Sequence, residues 1–178
     1  MSMSEKFILV APSTFAKNSS EPLDRLKELD INLIMNSFQR KISDIELNEI
    51  FNNNSICGSL AGLETYDKKI LNHPDLKIIS RLGSGVDNID NPLAKKLGIK
   101  VFNTPDAPTD AVAEITIGMM LSLLRKTFYA SENFKNKKWH REFGNLLQKK
   151  TVLIIGYGKI GKKIHKLLNA FDANCLIY

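Results

Sequence analysis

Short apolar runs at 7–11, 31–35, 55–61, 76–80 and 100–102 alternate with stretches in which apolar residues recur every three or four positions. That alternation predicts parallel strands joined by crossover helices. Between the first two strands, Ser20 is placed to cap a helix carrying Leu23, Leu26 and Leu29 on one face, with Pro22 in its first turn. Ser43 and Glu46 have capping-box spacing ahead of Ile50 and Phe51. A short helix from Pro92 should stop at Gly98, since glycine tolerates the left-handed conformation that ends many helices. Residues 1–103 therefore predict one open α/β sheet.

The pattern then changes. One long helix is expected over 111–134, capped by Asp110, with Glu114 near its positive end. Its apolar positions Ala113, Ile117, Met120, Leu121 and Leu124 have the spacing of a packed face. Residues 135–148 are polar and irregular and read as a linker. A β-branched strand at 151–155, a glycine turn, a helix and a last strand at 174–178 then form one βαβ unit. A parallel sheet normally has both faces covered, and one helix with two strands cannot cover Val152, Leu153, Ile154, Leu176 and Ile177. The chain is thus expected to be part of a larger fold.

Composition narrows the class. Of 178 residues, 43% are hydrophobic and 25% charged, which fits a globular protein rather than a disordered one. No run approaches the ~20 apolar residues of a membrane span, and the first run is too short for a secretory signal, so a cytoplasmic protein without a membrane partner is expected. The net charge of +6 is concentrated between Lys135 and Lys166, where Glu142 is the sole acid. Spread over a loop, a strand entry and a helix, this reads as a solvated face able to steer an anionic dinucleotide, and nucleic acid is not expected. Cys57 and Cys175 lie in apolar segments without metal-ligand spacing and are expected as buried thiols; no metal site is expected.

Three glycine or polar turns at strand ends carry the candidate chemistry. Gly156, Gly158 and Gly161 form GxGxxG between a buried-type strand and a helix. In that setting Gly156 suits the tight turn, Gly158 admits a pyrophosphate to the backbone, and Gly161 lets helix approach strand. The amides of Lys159 and Ile160 would face the phosphates with the helix dipole behind them. The second turn, Arg81-Leu82-Gly83-Ser84-Gly85-Val86-Asp87-Asn88, follows the fourth strand. Its successive amides could form a nest for a carboxylate, and Arg81 could add a charged fork. A plain strand-to-helix turn with a surface arginine explains the same residues equally well. The third is Asn103-Thr104-Pro105 after the fifth strand.

Together, RLGSGVDNID, VFNTP, AEITIGMMLSLLRK, Trp139 and TVLIIGYGKIGKKI resemble the D-isomer-specific 2-hydroxyacid dehydrogenases, most closely the phosphoglycerate dehydrogenase branch. The resemblance covers about 76–178; the first 75 residues fit only by alternation. It implies a flavodoxin-like substrate domain over 1–103, followed over 104–178 by a linking helix and the first βαβ unit of an incomplete Rossmann domain. It implies hydride transfer between NAD or NADP and a small anionic hydroxy or keto acid, in a protein that is a homodimer when complete. Arg81, Ser84 and Gly85 would contact substrate, with Arg81 favouring a phosphorylated one such as 3-phosphoglycerate. Thr104, Gly156, Gly158, Lys159, Ile160 and Gly161 would contact the dinucleotide. Trp139 is either the family tryptophan near the subunit boundary or a buried anchor. The family's catalytic arginine, carboxylate and histidine have no counterpart motif here, so no catalytic residue is assigned and this chain alone is expected to be inactive. His73, His140 and His165 are expected at the surface, without an orienting acid. A non-enzymatic, dinucleotide-responsive protein of the corepressor type is the alternative.

Overall fold

The computed structural model describes residues 5–29 and 31–178. The chain divides into two compact units, Met1–Pro105 and Asp106–Tyr178. In the first, β1 (Phe7–Val10), β2 (Asn32–Met35), β3 (Ile56–Ala61), β4 (Ile78–Arg81) and β5 (Lys100–Asn103) form one parallel sheet in the order β2-β1-β3-β4-β5. Four helices connect them: α1 (Glu21–Lys27), α2 (Asp44–Asn53), α3 (Lys68–Leu71) and α4 (Asn91–Lys96). The order reverses between β1 and β3, and Leu9, Val10, Ile56 and Ala61 of this pair are fully buried. Ile42, Leu47, Phe51, Tyr66, Ile79 and Ala94 complete a continuous core.

Local chemistry explains where the helices start. Ser43 is extended, its Oγ accepts from the Glu46 amide at 3.4 Å, and the Ser43 amide donates to Glu46 Oε2 at 2.9 Å. The expected capping box is present. Glu46 also takes a two-pronged bond from Arg40, at 2.7 and 2.9 Å, and the Arg40 and Ser43 donors hold its carboxyl down at about 2. Ser20 differs from expectation. It sits in helical conformation with no side-chain cap; the Glu21 amide reaches Ser19 Oγ instead, and Leu29 is 61% exposed because α1 has stopped before it. Gly98 takes φ +73 and ends α4 as expected.

In the second unit, the helix expected over 111–134 is two helices, α5 (Thr109–Arg125) and α6 (Thr127–Lys135). Lys126 turns left-handed at φ 54, and its ammonium reaches Glu142 at 3.1 Å. The linker returns to the same break, where the Asn145 amide donates to the Leu124 carbonyl at 2.7 Å. Asp110 does not cap. The helix begins after Pro108, and Asp110 pairs with Lys163 at 2.6 Å, which raises the lysine pKa. β6 (Thr151–Ile154) and β7 (Asn174–Ile177) pair in parallel around α7 (Lys159–Asn169). Ile117, Leu121 and Leu124 of α5 pack with Ile154, Leu168 and Val152, so α5 belongs to this unit's core.

Only one face of β6–β7 is covered by these helices. Leu153, Leu176 and Tyr178 alternate onto the other and are 56, 57 and 87% exposed. Cys57 and Cys175 are half-buried rather than buried: Cys57, on the central strand β3, has its thiol against the Phe7 carbonyl at 3.4 Å, and Cys175 lies on β7, which has a strand neighbour on one side only. Among the described residues, no helix is long and apolar enough to cross a membrane.

Two outcomes follow. Amide exchange should be slow in β1 and β3 and fast in β6 and β7, where one face lies open; equal protection of both would contradict the exposure seen here. Acid should weaken the first unit through Glu46. Its folded pKa lies below the ordinary value of 4.5, so its contribution is complete above that pH and disappears as pH falls through about 2. Glu46→Gln should flatten the denaturation midpoint against pH across that window.

Candidate functional site

The turn after β4 is braced from both neighbouring strands. Gly83 has φ +142, a conformation that a side chain strains, and a Cβ there would overlap the Arg81 guanidinium. The Gly83 amide donates to Thr104 Oγ1 at 2.8 Å, and the Gly83 carbonyl accepts from the Thr104 amide at 3.0 Å. Asn103 Nδ2 holds the Ser84 carbonyl at 2.7 Å. From the other side, Asn88 Nδ2 donates to the Glu64 and Gly62 carbonyls at 2.6 and 3.3 Å, tying this turn to the one after β3.

These braces spend the carbonyls and leave amides free. Among the described residues, the amides of Ser84, Gly85 and Val86 donate to no protein acceptor, in an exposed turn at a strand's carboxyl end. Consecutive undonated amides are the donor set an anion needs. Gly85 needs neither a positive φ nor close packing: a Cβ there would meet only Asp87 Oδ2, at 3.5 Å. Its lack of a side chain keeps the amides accessible.

Arg81 behaves differently from the expected substrate fork. Its Nη1 donates to the Leu82 carbonyl, its Nε is buried without a partner, and its guanidinium packs over Gly83. In this arrangement it braces the turn. Thr104, expected at the dinucleotide, uses its oxygen lone pair on Gly83 and retains its O–H for a further acceptor.

The GxGxxG turn has the geometry its spacing implies. Gly156 is at φ +91, and a Cβ on Gly161 would overlap the Gly156 carbonyl oxygen, so helix and strand meet at glycine contact distance. Gly158 is extended, begins α7 without a side-chain cap, and faces open space where a Cβ would sit. Neither conformation nor packing demands glycine there; access to the backbone does. The amides of Lys159 and Ile160 have no protein acceptor among the described residues. The Lys159 ammonium pairs with Asp106.

The histidines show contacts the sequence did not reveal. His73 is half-buried, edge-on to Phe51 at 5.4 Å, with its Nδ1 buried and unpartnered. His165 Nδ1 meets the Tyr157 hydroxyl at 2.6 Å. His140 does have an acid beside it, Glu142 at 3.4 Å, although Lys126 holds the other carboxylate oxygen. Trp139 is 92% exposed, which overturns its reading as a buried anchor; no core forms around residues 135–143.

Comparison with known proteins agrees with this architecture. The family described as D-isomer specific 2-hydroxyacid dehydrogenase, catalytic domain, matches residues 13–173. The chain belongs to this family. A hydroxypyruvate reductase of Thermotoga maritima is 42% identical over 106 residues, 58% of this chain and 35% of that protein. A D-3-phosphoglycerate dehydrogenase of Methanocaldococcus jannaschii is 43% identical over 105 residues, 58% of this chain and 20% of that protein. The crystal structure of NAD+-bound 3-phosphoglycerate dehydrogenase from Entamoeba histolytica matches with a TM-score of 0.75 and 27% identity, over 99% of this chain and 54% of that one. This 2-hydroxyacid dehydrogenase family chain thus spans about half the length of that structure.

Gly83→Ala tests the brace. Strain at positive φ together with displacement of Arg81 should cost about 2–4 kcal/mol in denaturant unfolding. Gly85→Ala should cost under about 1 kcal/mol, since its site is open. Equal effects would mean that the turn is not built as described.

Proposed function

We propose that this chain supplies the carboxylate-holding turn and the dinucleotide turn of an oxidoreductase that interconverts a small 2-hydroxy acid and its 2-keto acid with a nicotinamide cofactor. The observation that carries the proposal is shared by the two turns. Each presents consecutive undonated amides at a strand's carboxyl end, beside a glycine that neither backbone conformation nor packing requires, Gly85 in one and Gly158 in the other. Family membership gives those two donor sets a common chemistry.

In this reading Ser84, Gly85 and Val86 hold the substrate carboxylate through their amides, and Arg81 keeps their turn in shape. Lys159 and Ile160 offer their amides to the pyrophosphate, Gly156 and Gly161 set the turn and its closeness to the helix, and Gly158 leaves the approach open. Thr104 is assigned to the dinucleotide through its free O–H. The residues present fit a dinucleotide, because the helix start lacks any cap of its own. When bound, the nicotinamide accepts or donates the hydride. We extend the proposal to a homodimer, supported by Phe134, Trp139 and Phe143, which are 76, 92 and 88% exposed.

Relatives of nearly equal identity carry different substrate names, hydroxypyruvate and 3-phosphoglycerate, so likeness does not choose between them. The phosphate preference expected from Arg81 loses its support from that residue, whose Nη1 is occupied by the Leu82 carbonyl.

Amide chemical shifts of the labelled chain test both halves. D-lactate should move Ser84, Gly85 and Val86, and NAD should move Lys159 and Ile160, with Gly158→Ala weakening the NAD response about tenfold. Arg81→Ala should weaken D-lactate and phosphorylated hydroxy acids alike, as a brace would. Titrations that leave both amide sets unmoved would sink the proposal.

A further inference from the structure

The sheet order reverses between β1 and β3, and open α/β sheets bind ligands beside such a reversal, at the carboxyl ends of the strands. A cavity of about 290 Å³ lies there. Ser13 and Thr14 line it after β1, Gly62 and Glu64 after β3, Leu82 after β4, and Lys41 from the loop before α2. Leu82 directly precedes the amide turn, so the cavity opens next to the carboxylate site proposed above.

Glu64 decides what the cavity accepts. The residue is only 2% exposed. Its Oε2 accepts from the Gly62 amide at 2.8 Å, and a Cβ on Gly62 would meet both carboxylate oxygens, at 2.9 and 3.4 Å. Among the described residues the Gly62 amide is the one donor to this carboxylate, and the side chain lines the cavity. No cation lies within ion-pair distance of it among the described residues. Lys41, the cavity's one basic side chain, is exposed and screened by water, whereas the carboxylate is not.

We propose that this cavity receives the tail of the substrate and that Glu64 selects a tail ending in a hydroxyl over one ending in phosphate. A hydroxyl can donate to the Glu64 carboxylate and still accept from Lys41, satisfying both groups. A phosphate brings two negative charges against a buried carboxylate and offers it no donor at neutral pH. The ligand class is therefore a hydroxylated 2-hydroxy or 2-keto acid such as glycerate or hydroxypyruvate. This rests on the assignment of Ser84, Gly85 and Val86 as the carboxylate holders.

The test is an amide-shift titration of the full 178-residue chain with D-glycerate and with 3-phospho-D-glycerate. D-glycerate should move both Ser84–Val86 and Gly62–Glu64 and should bind about tenfold tighter than its phosphate ester. Glu64→Gln, which keeps the acceptor for the Gly62 amide and removes the charge, should bring the two ligands within about twofold of each other. Equal or tighter binding of the ester by the native chain overturns the inference and leaves the carboxylate assignment standing. So does glycerate that moves Ser84–Val86 but not Gly62–Glu64. If neither acid moves Ser84–Val86, the carboxylate assignment fails and the tail assignment falls with it. The native comparison decides the matter even if the substituted chain does not fold.

Discussion

The hydrogen bond from the Gly83 amide to Thr104 Oγ1 is the contact around which the first unit's site is arranged. A turn with several successive amides free of acceptors has no internal reason to keep one shape, because water satisfies those amides in many conformations. Thr104 and Asn103 remove that freedom by holding the Gly83 amide and the Ser84 carbonyl from the end of β5, and Asn88 holds the other end of the turn to the turn after β3. The bracing therefore falls on groups next to the free amides and never on the amides themselves. Preorganised donors of this kind bind an anion without first paying to order the loop.

The first unit's sheet was legible in the sequence because each strand run was short, apolar and bounded by turn residues. The capping box at Ser43 was legible for the same reason, since both of its partners lie within four residues. Ser20 has the right residue type but no cap, because a cap depends on backbone angles that residue type does not settle; here Ser20 is already helical. The break at Lys126 lies further out of reach. It depends on Asn145 and Glu142 returning to the end of α5 from about twenty positions along the chain, and periodicity in 111–134 carries no trace of that.

The site shows a similar division. The glycine patterns located both turns, since a positive φ or a close approach leaves a strong mark on residue choice. What the side chains do there was not legible. Arg81 looked like a ligand fork because an arginine in a glycine turn has the right chemistry, yet its guanidinium folds onto its own turn. Glu64 carried no signal at all: one acid in a polar loop becomes notable only when the fold buries it beside Gly62.

The two units also differ in how their backbone donors come to be free. In the first, side chains from neighbouring strands enforce an irregular turn, so the shape depends on tertiary contacts. In the second, the free amides of Lys159 and Ile160 follow from helix geometry alone, because the first turn of any helix has no carbonyl to donate to. The glycine contact between residues 156 and 161 then needs only local sequence. This explains why GxGxxG is readable in a strand-turn-helix setting, while RLGSGVDN remained evenly balanced between a ligand site and a plain turn. A motif is legible to the extent that its geometry is local, and the RLGSGVDN turn is held by residues 103 and 104, about twenty positions further along the chain.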